Sequence, residues 1–252
     1  MEKTAKPAKK LYGQGVILLR GPPPLSWPWV PGARRLIRCT IISPGAGSLA
    51  PEGAPFGPCR RYRSLKILDV LEYACGMATH ANGMLQDAHS VNRNCEILVT
   101  RKSFPFAKRF TMRALLIGGV MPHRLGLSES VLIFENHRAL YDDTAAFEAA
   151  LPQIKKRCVE KKLVIESESL EDAKRMLQLG ADVIQMDKSV PETLAALVAY
   201  KREHHPHAAI IAAGGINRKN VVQYAQTGVD AIVTSSLYQA GMADLTTIWK
   251  GV

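Results

Sequence analysis

The sequence predicts an α/β protein whose chain, from about residue 65 onward, winds into a closed or nearly closed TIM-like (β/α) barrel. Three observations carry this. Short β-rich apolar runs alternate with helical patterns, and the last four runs start 20, 26 and 22 residues apart, a spacing that fits parallel strands joined by helices. Each run ends in polar residues. The composition also changes sharply near residue 65, which sets the expected domains at 1–64 and 65–252.

The first segment is basic and broken. Residues 1–66 hold 12 Lys/Arg and 2 Asp/Glu, against 21 and 20 in the remainder, so the net charge of +11 belongs almost wholly to this segment. The charge therefore gives no reason to expect a nucleic-acid partner for the main domain. Ten of the fifteen prolines lie here. The stretch from Gly21 to Gly32, with Pro22, Pro23, Pro24, Pro28 and Pro31, excludes a helix or an interior strand, because proline fixes φ and removes a donor. Short β-like pieces are expected at Gly15–Leu19 and Leu36–Ile42. Three readings of the segment stay open: a turn-rich small domain or arm, a ligand for an SH3-like partner, and translation outside the native frame.

The helical pattern opens at Ser64–Gly76, with Leu65, Leu68 and Leu71 on one side. Strand runs follow at Glu96–Thr100, Leu115–Val120, Ser130–Phe134, Leu163–Glu166, Val183–Met186, Ala209–Ala212 and Ala231–Val233. Between the later ones lie three helices: Ser169–Leu179, capped by Ser169 and stopped by Gly180; Pro191–Glu203; and Lys219–Thr227, with Asn217 as candidate cap and Gly228 as stop. No apolar run approaches the ~20 residues of a membrane span. Gly15–Leu19 is too short for a signal peptide, so a cytoplasmic protein without membrane partners is expected. Five scattered cysteines without a C-x-x-C suggest reduced thiols.

The chemistry collects at the ends of the runs. In order these are Thr100-Arg101-Lys102, His123-Arg124, Glu135-Asn136-His137, Glu166-Ser167-Glu168, Asp187-Lys188, Gly214-Gly215-Ile216-Asn217 and Thr234-Ser235-Ser236. In a parallel barrel those ends share one face. Cations to hold anions, acids to hold a metal or an incipient cation, and glycines for close backbone approach suit a phosphorylated substrate. Each motif has a plainer reading by itself: Gly214-Gly215 as a turn, Arg101-Lys102 as a solvated strand end, Glu166 and Asp187 as helix-entry acids, His123 as structural. His204-His205-Pro206-His207 reads as a surface loop on the opposite face, and Asp142-Asp143 as a loop or helix start.

Several motifs in one order resemble the quinolinate phosphoribosyltransferases. Leu71–Thr79 looks like their helix motif, and Thr100-Arg-Lys-Ser-Phe-Pro105 is similar to their T-R-K-T-x-P. Gly118-Gly119 through His123-Arg-Leu-Gly-Leu127 resembles G-G-x-x-x-H-R-x-G-L, and Leu132-Ile-Phe-Glu-Asn-His137 resembles L-I-K-D-N-H. Glu166-x-Glu168, Gln185-Met-Asp187 and Ala213-Gly-Gly-Ile216 follow in the expected order. Within that family, Phe134-Glu135, Ala213, Pro122-His123-Arg124 and Ser128-Glu129 resemble the ModD branch, which is associated with molybdenum transport.

The resemblance implies an open or incomplete (β/α) TIM-like barrel preceded by a small, divergent N-terminal α+β domain. It also implies a homodimer with sites at the interface. By position, Arg101, His123 and Arg124 are expected to hold substrate carboxylates. Lys102, Glu166 and Asp187 are expected to face phosphoribosyl pyrophosphate and its Mg²⁺, with Glu166 and Asp187 as metal ligands. Gly214, Gly215, Ile216, Thr234 and Ser235 are expected to cradle the 5-phosphate, and Lys66 lies near the place where the family carries a basic residue that reaches into the neighbouring subunit's site to bind substrate. Phe134 stands where the quinolinate enzymes carry a lysine, so a less acidic acceptor than quinolinate enters consideration. The implied activity is phosphoribosyl transfer to the ring nitrogen of a pyridine carboxylate, quinolinate or a relative, with pyrophosphate released. The alternative from another class is a non-catalytic barrel that binds a phosphorylated or oxyanion ligand.

Overall fold

The computed structural model describes the backbone of residues 15–19, 36–39 and 58–249, and the side chains of residues 68–245. In chain order the strands are β1 (Gly15–Leu19), β2 (Leu36–Cys39), β3 (Glu96–Val99), β4 (Met121–Pro122), β5 (Val131–Ile133), β6 (Leu163–Ser167), β7 (Val183–Asp187), β8 (Ala209–Ala213), β9 (Ala231–Thr234) and β10 (Leu245–Trp249). The helices are α1 (Pro58–His89), α2 (Lys108–Ile117), α3 (Glu135–Arg138), α4 (Thr144–Arg157), α5 (Leu170–Gln178), α6 (Pro191–His204) and α7 (Val221–Gln226).

Two compact units divide these elements. The smaller holds β1, β2, the start of α1 through Cys75, and β10. Its strands form an antiparallel sheet ordered β10-β1-β2, with Gly15 opposite both Trp249 and Cys39. Both β-like pieces expected from the sequence are strands; residues 40–42, the Pro-rich stretch and the side chain of Lys66 lie outside the described residues. The expected boundary at 64/65 falls inside α1.

The larger unit spans Gly76–Gly241 and is built on seven parallel strands ordered β4-β3-β9-β8-β7-β6-β5. β4 and β5 are the two edges, and residues following β3 and β4 line one cavity with residues of β5, so the sheet is a half-barrel left open along one seam. Side chains alternate across each strand with a period of two. One face carries Leu132, Val164, Val183, Ile211, Ala213, Ala231 and Val233 as a single apolar cluster. The other face buries Leu163, Ile165, Ile184, Met186, Ile210 and Ile232, while the helices bury Ala173, Met176, Leu177, Leu194 and Leu197. Because both faces are covered, these strands read in sequence as continuous apolar runs rather than as alternating ones.

The expected later helices are present with small changes. Ser169 Oγ accepts from the Asp172 N–H at 3.2 Å, and Gly180 ends that helix at φ +96. Three expectations are corrected. Leu115–Val120 is not a strand: Leu115–Ile117 complete α2, whose buried face is Thr111, Met112, Ala114 and Leu115. Gly118 and Gly119 then turn the chain, and only Met121–Pro122 pairs with β3. The apolar run fits either period over so few residues. The first helix does not stop at Gly76 but continues to His89, because Met77, Ala78, Ala81, Met84 and Ala88 keep one face buried. The last helix starts after Asn220, whose side chain makes no cap bond, rather than after Asn217, whose side chain accepts from the Lys219 N–H at 2.9 Å.

Candidate active site

The polar strand ends lie on one rim because all seven strands run the same way. From the β3 and β4 edge come Arg101, Lys102, His123 and Arg124. Thr100 is fixed from two sides: its N–H donates to Thr234 O at 3.1 Å, and the Tyr238 hydroxyl donates to its carbonyl at 2.6 Å. The His123 N–H donates to Val99 O at 2.9 Å, which sets the β4 end beside the β3 end. From the β5 edge come Phe134 and α3. The Phe134 N–H donates to His137 Nδ1 at 3.0 Å, and the two rings lie 5.6 Å apart.

These two edges face each other across the open seam. A cavity of about 460 Å³ lies there, lined by Arg101, Arg124, Leu127, Phe134, Asn136 and His137 among others. Among the described residues no carboxylate lines it. The Arg124 guanidinium sits 5.9 Å from the centre of the Phe134 ring, a cation over an aromatic face. Burial and Arg101 lower the Arg124 pKa. Burial, with Arg124 and Arg101 nearby, holds His123 down to about 4, so its ring is neutral at neutral pH and can offer a hydrogen bond but not a charge. The cavity therefore suits a flat anion: guanidinium groups for a carboxylate, and aromatic and aliphatic walls for a ring.

The acidic part of the rim stands on β6 and β7. Period-two alternation puts Glu166, Gln185 and Asp187 on the same face as Val164 and Val183. Burial is the main cause raising the Glu166 pKa; Asp187 and Glu168 add to it, while the Gln185 amide and Lys188 oppose it. Lys188 adopts φ +51 and reaches back to Asp187 Oδ2 at 3.2 Å. Beside them, Gly214 and Gly215 have φ +87 and +71. A Cβ on Gly214 would stand 2.6 Å from Lys188 N and 2.8 Å from Asp187 Oδ1, so only glycine lets the turn lie this close to the acids.

The proposed phosphate turn is tied to the β9 end. Thr234 is buried, and its hydroxyl donates to Ile216 O at 2.7 Å and also meets Ser236 Oγ at 2.9 Å. The Ile216 side chain is core. Gly214, Gly215 and the exposed Ser235 are thus the parts of the two turns left open on the rim. Lys102 is exposed, its N–H held by Thr100 Oγ1 at 3.3 Å.

The expected residues therefore fall into two groups on one rim. Arg101, Arg124 and Phe134 share the seam cavity; Glu166, Asp187 and Gly214 cluster beyond it. A second cavity, of about 490 Å³, adjoins Glu166 and Glu168 and also touches Arg138, Tyr141 and Phe147. Sequence reasoning gave no role to Gln185 or Arg138. Gln185 had a signal, as the lone polar residue inside an apolar strand run; Arg138 had none.

Comparison with known proteins agrees with this architecture. Residues 77–246 match the family described as "Quinolinate phosphoribosyl transferase, C-terminal domain". The chain is 32% identical over 179 residues to the Pasteurella multocida protein named "Putative pyrophosphorylase ModD", covering 71% of this chain and 64% of that protein. It is 33% identical over 169 residues to the Methanothermobacter thermautotrophicus protein named "Probable nicotinate-nucleotide pyrophosphorylase (carboxylating)", covering 66% and 60%. The structure of the nicotinate-nucleotide pyrophosphorylase from Francisella tularensis superimposes with a TM-score of 0.65 at 26% identity, covering 73% of this chain and 63% of that one. The chain thus spans less than two thirds of the length of these relatives. With the match covering most of the chain and the open parallel barrel in place, the chain belongs to the quinolinate phosphoribosyltransferase family, alongside ModD proteins and nicotinate-nucleotide pyrophosphorylases.

Proposed function

We propose that this protein transfers a phosphoribosyl group from phosphoribosyl pyrophosphate to the ring nitrogen of an aromatic carboxylate, releasing pyrophosphate. The observation that carries the reading is the seam cavity, where Arg101 and Arg124 on one edge face Phe134 and His137 on the other without a carboxylate between them. The names of the relatives support a pyridine carboxylate as acceptor, quinolinate or a close analogue. With quinolinate, the product would then lose its 2-carboxylate as carbon dioxide.

In this reading Arg101 and Arg124 bind the acceptor carboxylate and aim the ring nitrogen at the sugar C1. His123, neutral, adds a hydrogen bond. Gly214, Gly215 and Ser235 receive the 5-phosphate, with Thr234 and Ile216 bracing the turn. Lys102 offsets charge on the departing pyrophosphate, and Glu166 and Asp187 stabilise positive charge growing on the ribose. The same two acids fit Mg²⁺. Burial first, then the charges of Asp187 and Glu168, raise the Glu166 pKa, and a cation beside the two acids would offset the carboxylate repulsion. One or two carboxylates sharing the ion with phosphate oxygens is the usual Mg²⁺ arrangement. When bound, the ion would supply charge neutralisation for the leaving group.

A homodimer with shared sites, a role for Lys66 from the adjoining subunit, cytoplasmic residence and a link to molybdenum transport belong to the same proposal and rest on the family and branch. Among the described residues no helix is long and apolar enough to cross a membrane. The test is Mg²⁺-dependent pyrophosphate release from phosphoribosyl pyrophosphate across a panel of pyridine and related carboxylic acids. Turnover that disappears in Lys102→Ala and Asp187→Ala supports the reading. Ligand binding without turnover by any acceptor overturns it in favour of a non-catalytic barrel.

A further inference from the structure

We infer that Arg138 is a positioning residue that sets the width of the seam cavity by tying α3 to the β6 end, an inference that rests on the phosphoribosyltransferase reading. The need for such a tie follows from the sheet. β5 is an edge strand only three residues long, and among the described residues β6 is its one strand partner. Among the described residues no strand pairs with it across the seam, so Phe134, Asn136 and His137 hang from a short ladder: Val131, Leu132 and Ile133 opposite Leu163, Val164 and Ile165.

Arg138 closes that gap in the scaffold. Its Nη1 donates to Asp172 Oδ1 at 2.9 Å and to Oδ2 at 3.0 Å, at the start of α5. Its Nη2 donates to the carbonyl of Glu166 at 2.8 Å and reaches Ser167 Oγ at 3.5 Å. The guanidinium also lies 5.3 Å from the centre of the Phe147 ring on α4. Asp172 is held in turn by the Ser167 hydroxyl, which donates to its Oδ2 at 2.5 Å, so its carboxylate has a second anchor besides Arg138. The side chain is only 12% exposed, which strengthens these charge-assisted bonds and makes their loss costly. One planar group therefore joins the helix carrying the acceptor wall to the backbone of the acid on the sugar side. A lysine has the charge but not the fork, and cannot reach the carboxylate and the carbonyl together.

The geometry decides which step suffers. Losing the tie lets α3 move relative to Arg101 and Arg124, so the acceptor loses its fit, whereas the phosphate turns on β8 and β9 stand on strands paired on both sides. A displacement of about 1 Å at a positioning element can cost ~100-fold in rate.

The experiment compares Arg138→Lys, Arg138→Met and Arg138→Gly with Arg175→Lys, whose exposed pair with Glu148 on α4 serves as control. The expected result is an acceptor KM raised roughly tenfold or more with the phosphoribosyl pyrophosphate KM within about threefold, and partial rescue of Arg138→Gly by added guanidinium ion. Unchanged acceptor KM in a folded variant, or equal shifts in both KM values without guanidinium rescue, overturns the inference. Hydrogen exchange across residues 134–139 reads the tie without any substrate. Faster exchange there in Arg138→Met, with β8 unchanged, retains it even if the wild type turns over no acceptor, a result that would sink the activity alone. Exchange indistinguishable from wild type overturns it.

Discussion

Gln185 Nε2 donates to Glu166 Oε2 at 2.6 Å across the paired strands β6 and β7, and Gln185 Oε1 is buried with no hydrogen-bond partner among the described residues. The amide thus fixes one oxygen of the acid and leaves the other available. Gln185→Met keeps the shape and removes both polar atoms. Stability should change by no more than about 1 kcal/mol, because losing the bond is offset by removing an orphaned acceptor. Turnover should fall roughly tenfold as Glu166 loses its orientation. Steady-state kinetics beside a denaturant titration separate the two, and unchanged turnover would count against an oriented Glu166.

Glu166 should destabilise the fold at neutral pH. Its raised pKa means the native state holds the proton at pH values where the unfolded chain has released it. Stability then falls as pH rises through the window above the ordinary carboxylate value. Glu166→Gln should raise the thermal midpoint at pH 8, with the gain shrinking toward pH 4. A gain independent of pH would contradict this.

His123 acts on the other side of the scale. With a native pKa of about 4 against an ordinary 6.5, the unfolded chain binds a proton between those values and the native chain does not. Stability is lost as pH falls across that window, by on the order of 3 kcal/mol. His123→Asn should flatten this acid-side slope, and a chemical-shift titration of His123 reads the pKa itself; a midpoint near 6.5 would refute the neutral ring.

Gly214→Ala and Gly180→Ala make a matched pair. Both glycines have positive φ, +87 and +96, but a Cβ at Gly180 meets nothing within 4 Å while one at Gly214 strikes Lys188 N and Asp187 Oδ1. Gly180→Ala should cost about 1 kcal/mol and leave activity intact. Gly214→Ala should cost more and displace Asp187, lowering activity at least tenfold. Equal effects of the two would mean the close approach is unimportant.

Phe134→Lys should redirect acceptor preference. It exchanges the ring beneath Arg124 for a cation facing the same cavity. A charge-assisted contact is worth ~1.5–3 kcal/mol, or roughly 10- to 150-fold. Binding of a pyridine dicarboxylate should tighten relative to a monocarboxylate, as calorimetry would show. No change in that ratio would remove Phe134 from the acceptor wall.

Much of the barrel could be read along the chain. The runs at 163–166, 183–186, 209–212 and 231–233 became β6 to β9, and Ser169 and Gly180 bound a helix as expected, because caps and short periodicities are local. Leu115–Val120 was misread for the same reason: three apolar residues fit either period, and the burial of Thr111 and Met112 that makes them helical lies outside that run.

What the sequence by itself determined is the chemistry of the rim: parallel strands with cations, acids and glycines at one end, since strand direction and period decide which residues share that face. Only the tertiary structure decided how the rim is divided. It put the open seam between β4 and β5, set Arg124 over Phe134, placed Gln185 under Glu166, tied α3 through Arg138, and kept His123 uncharged. Each of these depends on burial or on distances between residues remote along the chain, which no spacing within a segment records.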